Sequence, residues 1–171
     1  MAGNEERNDS RWDFGVAVIQ HSLYVVAVAL ILAIIVVQII RNITDVREQE
    51  RAEETLKRLR EIRLALELFY QKTQTYPDLT REGAADDLRI LDYHDKDGNL
   101  ISFAALYGST KLAETPGNER INPSNAVRNV TDFKNAGLNG GWNYNYTERT
   151  GEIHANLPHD VYSQQIEWEE Y

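Results

Sequence analysis

The chain has 171 residues and carries 18 Lys and Arg against 27 Asp and Glu, which gives a formal net charge of -9. It contains no cysteine, which excludes a disulfide scaffold, a thiol nucleophile and a cysteine-ligated zinc or iron–sulfur site. The acidic balance argues against general nucleic-acid binding, because contacts to phosphates need clustered positive charge.

A long apolar run dominates the N-terminal part of the chain. Between residues 16 and 40, only Gln20, His21, Ser22 and Gln38 interrupt it. As a helix, the stretch 23–40 covers roughly 27 Å, close to the thickness of a bilayer core. A buried core helix is one alternative, but so short a chain cannot enclose it on all sides. A cleaved signal peptide is another, but the run is too long and no small-x-small site closes it.

We therefore expect four segments along the chain. Residues 1–15 form a cytoplasmic leader or tail, 16–41 a transmembrane helix, 42–76 an amphipathic helix, and 77–171 an exported globular domain rich in β-structure. The short polar tail and the large C-terminal part favour export of that domain. Residues 78–171 hold 16 acidic and eight basic residues, so most of the net charge lies on the exported surface.

Apolar residues recur every three or four positions after the apolar run, which predicts an amphipathic helix. No glycine or proline lies between Val16 and Tyr76, so the span and the amphipathic stripe should form one helix that Pro77 ends. The charges on its outer face indicate either a solvated surface or contacts to neighbouring subunits. The residues expected in its core stripe are Leu56, Leu59, Ile62, Leu66 and Phe69.

The clearest β-signal lies near the C-terminus. Trp142, Tyr144 and Tyr146 alternate with Asn143 and Asn145, a turn follows at 147–151, and 152–157 alternates back, which predicts a hairpin. We expect the aromatic side chains to face the core.

The remainder of the C-terminal domain carries weaker signals. We expect a short helix at 84–91, a turn at 95–99, a strand or short helix at 100–106 and a long loop at 108–141. Ile166, Trp168 and Tyr171 could form a last strand.

Nothing in the sequence supports an enzyme. The four histidines are scattered, and no serine lies in a nucleophile motif. Asp92, Asp95 and Asp97 could ligate Ca²⁺ through hard oxygen atoms, but they fail the EF-hand template, and a plain turn is the alternative.

Two stretches together carry a family resemblance. The helix end reads ALELFYQKTQTYP (65–77), and the closing hairpin reads GGWNYNYTERTGEIHANLP (140–158). With the N-terminal apolar helix, they resemble the type IV pilin and type II secretion pseudopilin family, most closely its major (G-type) pseudopilins. The motif residues that match are Tyr76, Pro77, Gly140, Gly141, Trp142, Tyr144 and Gly151.

The resemblance also implies a processing site and an assembly position. In that family a prepilin peptidase cuts after a glycine, and a Glu at the fifth mature position pairs with the N-terminal amine of a neighbouring subunit. Here Gly15 precedes Val16, and the fifth residue is Gln20. The usual Phe and Glu are thus replaced by Val16 and Gln20.

The resemblance implies an α+β, pilin-like fold in which the long helix packs on a small antiparallel sheet. It implies a structural subunit of a bacterial secretion or pilus machine, held in the inner membrane by a single span. Its partners would be the lipid bilayer, other pilin-like subunits and the assembly platform, without nucleic acid. The alternative is a single-span adapter or binding module with a pilin-like exported domain that does not polymerise.

Overall fold

The structure is a computed structural model that describes the backbone of residues 5–171 and the side chains of residues 22–171. The chain divides into two compact units, one that ends at Val46 and one that comprises Arg47–Tyr171. Together they contain a long helix and two small sheets, so the predicted α+β class is confirmed.

One uninterrupted helix, α1, runs from Glu5 to Thr73. The prediction of a continuous helix is confirmed, but its predicted end at Tyr76 is three residues too late. The helix ends earlier because Gln74 adopts a left-handed conformation (φ 57°). Its N–H still donates to the Tyr70 carbonyl at 2.7 Å, which caps the last turn.

Burial along α1 changes abruptly at Glu48. Every side chain from Ser22 to Arg47 is exposed, and Glu48 is the first that is buried. From there to the helix end, one face packs into the globular unit, as its spacing predicts. Leu56 is half-buried against the core, and the fully buried side chains of this face are Ala52, Thr55, Leu59, Ile62, Ala65, Leu66 and Phe69.

The three-stranded sheet consists of β3 (Val127–Asn129), β4 (Trp142–Tyr144) and β5 (Ile153–Ala155) in that order. The predicted hairpin is confirmed, since β4 and β5 are antiparallel with Trp142 opposite Ala155. The prediction of an antiparallel sheet is wrong for this sheet, because β3 pairs with β4 in parallel. β3 lies inside the segment predicted as a loop. The sequence does not predict it because three residues are too few to show a strand period.

A second, two-stranded sheet consists of β1 (Tyr93–His94) and β2 (Leu100–Ile101), which are antiparallel across the predicted turn. A 3₁₀-helix at Leu88–Leu91 replaces the predicted helix at 84–91. The helix α2 (Phe103–Tyr107) follows β2, capped by the Ser102 side chain and by left-handed Gly108.

The predicted last strand does not form. Residues 167–170 make a turn closed by the Glu170 N–H and the Glu167 carbonyl. Trp168 is buried and packs edge-on against Tyr162, with ring centroids 5.7 Å apart. Burial of this large ring stabilises the segment without strand pairing.

Both faces of the β4–β5 hairpin are buried. Trp142 and Tyr144 are fully covered, so the prediction that the aromatic side chains face the core is confirmed, and Tyr146 is half-buried beside them. Asn143 and Asn145, on the opposite face, are also buried.

Tyr162 should make the fold sensitive to alkaline pH. Its ring is buried, its hydroxyl donates to the Pro116 carbonyl, and burial raises its pKa from 10.0 to about 12. The neutral form is favoured in the fold, so this contribution is complete below pH 10 and is lost as pH rises towards 12.

We expect unfolding free energy to fall by roughly 2 kcal/mol across this range through Tyr162. Urea unfolding of the detergent-solubilised chain at a series of pH values measures this. Burial raises the pKa of Tyr144 in the same direction, so Tyr162→Phe should reduce the pH slope without removing it. An unchanged slope in Tyr162→Phe would contradict the assignment.

Candidate functional site: an apolar helix surface and a motif junction

The first feature with functional meaning is the exposed apolar surface of α1. Its large side chains between Leu23 and Ile40 are 47–64% exposed. Among the described residues, α1 is the one helix long and apolar enough to cross a membrane, and none of its most apolar stretch is buried. A helix that belonged to a soluble core would be covered.

The predicted processing and assembly residues Gly15, Val16 and Gln20 lie within α1. Their side chains fall outside the described side chains, so their roles stay predictions. They share one continuous helix with the exposed apolar side chains at 23–40.

The second feature is the contact between the two sequence motifs, which we name the motif junction (Tyr76, Pro77, Tyr144 and Gly151). The Tyr144 hydroxyl donates a hydrogen bond of 2.9 Å to the Pro77 carbonyl, and both groups are buried. The Tyr76 ring lies directly over Gly151, where a Cβ atom would overlap it. The turn that follows α1 thus contacts the hairpin through one hydrogen bond and one ring contact.

The glycine pair before β4 also has a steric role. Gly141 has φ +81°, and a Cβ there would collide with the Ala126 carbonyl. The same carbonyl accepts from the Trp142 N–H at 2.8 Å, and the Trp142 indole N–H donates to the Ala113 carbonyl at 2.8 Å. Gly141 therefore allows the preceding loop to approach the sheet closely.

The three aspartates considered for calcium are not brought together. The Asp95 carboxylate accepts from the N–H groups of Asp97 and Asn99 at 2.9 and 2.8 Å, and from the Asn99 amide at 2.9 Å. These hydrogen bonds, chiefly those from Asn99, lower the pKa of Asp95. No group of three His, Asp or Glu residues in the described part of the chain is arranged to hold a metal. Residues 95–99 form the turn that was the alternative.

A polar cluster that the sequence pattern does not predict lies where the globular unit begins. Glu48 accepts from Arg51 at 2.5 Å and from the Asn118 amide at 3.3 Å. The same amide group donates to the Val161 carbonyl at 2.6 Å, which joins two loops to the helix. The helical spacing places residue 48 on the buried stripe. Because Glu48 is charged, the sequence pattern alone does not predict that it is buried.

Arg63 is a second residue that the sequence analysis missed. It is half-buried, and its guanidinium donates to the Ile153 carbonyl of β5 at 2.7 and 3.2 Å and to the Tyr171 carbonyl. Burial lowers the pKa of Arg63, against the attraction of Glu152. It joins α1 to β5 and to the C-terminal segment. A cavity of about 360 Å³ lies beside it, with Tyr76, Gly151 and His154 in its wall.

Comparison of the chain with protein-family models, curated proteins and solved structures finds no match. The function is therefore inferred from the chain's own residues.

The apolar surface should hold the chain in membranes. Leu32→Arg combined with Ile35→Arg places two charges in the middle of the run, at a cost of roughly 5–6 kcal/mol for insertion. We expect the double variant to appear in the soluble or aggregated fraction, while the unchanged chain resists carbonate extraction from membranes.

The matched control is Leu64→Arg combined with Ile90→Arg, which adds the same charge at exposed apolar positions of the globular unit. The control should stay in the membrane fraction. Equal extraction of both double variants would contradict a spanning role for the apolar run.

The motif junction should tolerate no side chain at residue 151. Gly151→Ala combines a left-handed backbone (φ +71°) with a Cβ that overlaps the Tyr76 ring, so we expect a loss of roughly 2–4 kcal/mol in unfolding free energy. Gly98→Ala is the control, because its φ is similar (+82°) but nothing lies within 4 Å of the added Cβ. It should lose about 1 kcal/mol. Urea unfolding followed by tryptophan fluorescence compares them, and equal losses would show that the ring contact is unimportant.

Proposed function

We propose that this chain is a structural subunit of a bacterial type II secretion or type IV pilus-type machine, a pseudopilin-like protein that assembles through α1. The observation that carries the proposal is the division of one uninterrupted helix at Glu48. From Ser22 to Arg47 every side chain of the helix is exposed, and from Glu48 onward one face is buried in a small α+β unit.

The apolar surface needs a covering other than water. Lipid supplies it while the subunit waits in the inner membrane, because a helix satisfies all its backbone groups internally. The helices of other subunits supply it in a filament, where β-branched and small side chains such as those of Val25, Ala27 and Ala33 let helices approach closely. The same apolar surface therefore contacts lipid before assembly and neighbouring helices in the filament.

The motif junction supports the resemblance on which the proposal depends. Tyr76 and Pro77 belong to one motif, Tyr144 and Gly151 to the other, and they lie in direct contact. Two separate stretches of sequence that resemble one family thus form a single packing unit.

The second candidate is a single-span adapter or binding module that does not polymerise. Gln20 favours it, because a neutral amide binds a neighbouring amine more weakly than a carboxylate does. The replacement of the usual Phe by Val16 also favours the adapter. In both candidates the globular unit is exported and has no catalytic role.

Cross-linking in membranes distinguishes the two candidates. The chain has no cysteine, so Val37→Cys provides one reactive site on the exposed apolar surface. For an assembling subunit we expect cross-linked dimers, at a higher yield when Gln20→Glu is added. We also expect mass spectrometry to give the mass of a chain that begins at Val16. Glu61→Cys, on the exposed side of the globular part of α1, controls for random collision.

Monomers at both cysteine positions, an unaltered yield with Gln20→Glu and an intact Met1 would together support the adapter. Dimers at Val37→Cys that appear equally at Glu61→Cys would reflect collision and would count against assembly through α1.

A further inference from the structure

One edge of the three-stranded sheet has no partner strand among the described residues. β5 is the last strand in the order β3-β4-β5, so its outer edge faces away from β4. The Asn145 N–H donates to the Glu152 carbonyl at 2.9 Å, and further along the chain the Asn156 N–H donates towards β4 at the same distance. Every second residue of an antiparallel strand directs its backbone groups to the neighbouring strand. The N–H and carbonyl of Ile153 therefore point away from β4, to the outer edge.

Arg63 of α1 contacts this outer edge. Its guanidinium donates to the Ile153 carbonyl at 2.7 Å through Nη2 and at 3.2 Å through Nε, as the direction of that carbonyl requires. The same Nη2 atom donates to the Tyr171 carbonyl, so Tyr171 lies beside the edge. Within the described part of the chain, this is the one hydrogen bond of Tyr171, and none joins its backbone to β5. A residue with so little attachment is displaced at low cost.

The cavity of about 360 Å³ beside Arg63 lies along the outer edge of β5. The consecutive residues 150–154 form one part of its wall, and Arg63 and Glu67 of α1 form another. Glu152 and Tyr171, also in the wall, are exposed, so the cavity opens to solvent. Cavities that bind ligands have volumes of about 300–1,000 Å³, so this one has room for a short stretch of chain.

The charge of the wall decides which partner fits. The carboxylates of Glu67, Glu152 and Glu170 lie in it against one guanidinium, that of Arg63, which already binds two carbonyls. Charges at the rim of a docking site favour partners of the opposite sign. A second copy of the globular unit would bring the wrong sign, since residues 78–171 hold 16 acidic and eight basic residues. A basic partner is therefore favoured.

We propose that the outer edge of β5 and this cavity dock an extended segment of a partner protein that carries lysine or arginine at alternate positions. The segment adds to the sheet as a further strand in the place of Tyr171. One of its carbonyls accepts from the Ile153 N–H, which donates to no other group of the described residues. Main-chain hydrogen bonds supply the affinity, and basic side chains on every second residue meet the carboxylates. The site lies in the globular unit and is independent of assembly through α1.

The probe for this site is the synthetic peptide acetyl-Lys-Thr-Lys-Thr-Lys-amide, which alternates basic and β-branched residues. A peptide with Glu in place of every Lys is the control for charge. Two further peptides keep the sequence and carry backbone N-methyl groups either on the lysines or on the threonines. Each removes the N–H groups from one edge of the peptide strand and leaves the charge unchanged.

The test is NMR of the full-length chain in a neutral detergent with isotope-labelled isoleucine. We expect the basic peptide to give a saturable shift of the Ile153 amide, with the amide of Ile121, outside the cavity wall, as the reference. The acidic peptide should bind at least about tenfold more weakly. One N-methylated peptide should bind like the parent, and the other at least about tenfold more weakly, because it cannot pair with β5.

Three results would overturn the proposal. The first is no saturable shift with the basic peptide, or an equal shift with the acidic one. The second is equal binding of the two N-methylated peptides, which would show a charge contact without strand pairing. The third is a shift of the Ile153 amide that depends on the concentration of the chain alone, which would assign the edge to a second copy.

A pair of variants tests the position of the site. Glu152→Gln combined with Glu170→Gln removes two charges from the wall and keeps the side-chain size, so it should weaken binding roughly fivefold. Glu114→Gln combined with Glu119→Gln is the matched control, since it removes the same charge from exposed positions outside the wall. The control should bind the peptide as the unchanged chain does. Equal weakening in both double variants would contradict docking at this cavity.

Discussion

The rest of the structure depends on one constraint, which is that a single helix has to satisfy two different surroundings. Between Leu23 and Ile40 its side chains are exposed and almost all apolar, and from Glu48 onward one face is buried in a folded unit. No backbone break separates the two parts. The change is therefore made by side chains alone, with a buried carboxylate held by Arg51 and Asn118 at the boundary. The ion pair thus lies where burial along the helix begins.

The globular unit is small, and hydrogen bonds attach its loops to α1 and to the hairpin. Tyr144 reaches from β4 to the Pro77 carbonyl, and Arg63 reaches from α1 to the edge of β5. Each of these bonds satisfies a backbone carbonyl that has no strand partner. The strands themselves contain two or three residues, too few to hold the sheet without such links.

The two faces of the hairpin are stabilised by different interactions. The face with Trp142 and Tyr144 is stabilised by burial of large rings against the helix stripe. The face with Asn143 and His154 is polar, and the Asn143 amide donates to the Asn156 side chain there. Burial of the aromatic face thus positions the polar side chains on the opposite face of the same strands.

The sequence by itself determined the long helix, its division into an apolar and an amphipathic half, the hairpin and the core aromatic residues, because each depends on a local period or a turn motif. Only the tertiary structure decided the parallel pairing of β3, the failure of the last strand at 167–170 and the burial of Asn143. It also decided that Glu48 is buried, although its place on the helix period was visible. These features depend on which distant segment lies beside a residue, and a short polar stretch carries no periodic signal that specifies its neighbour.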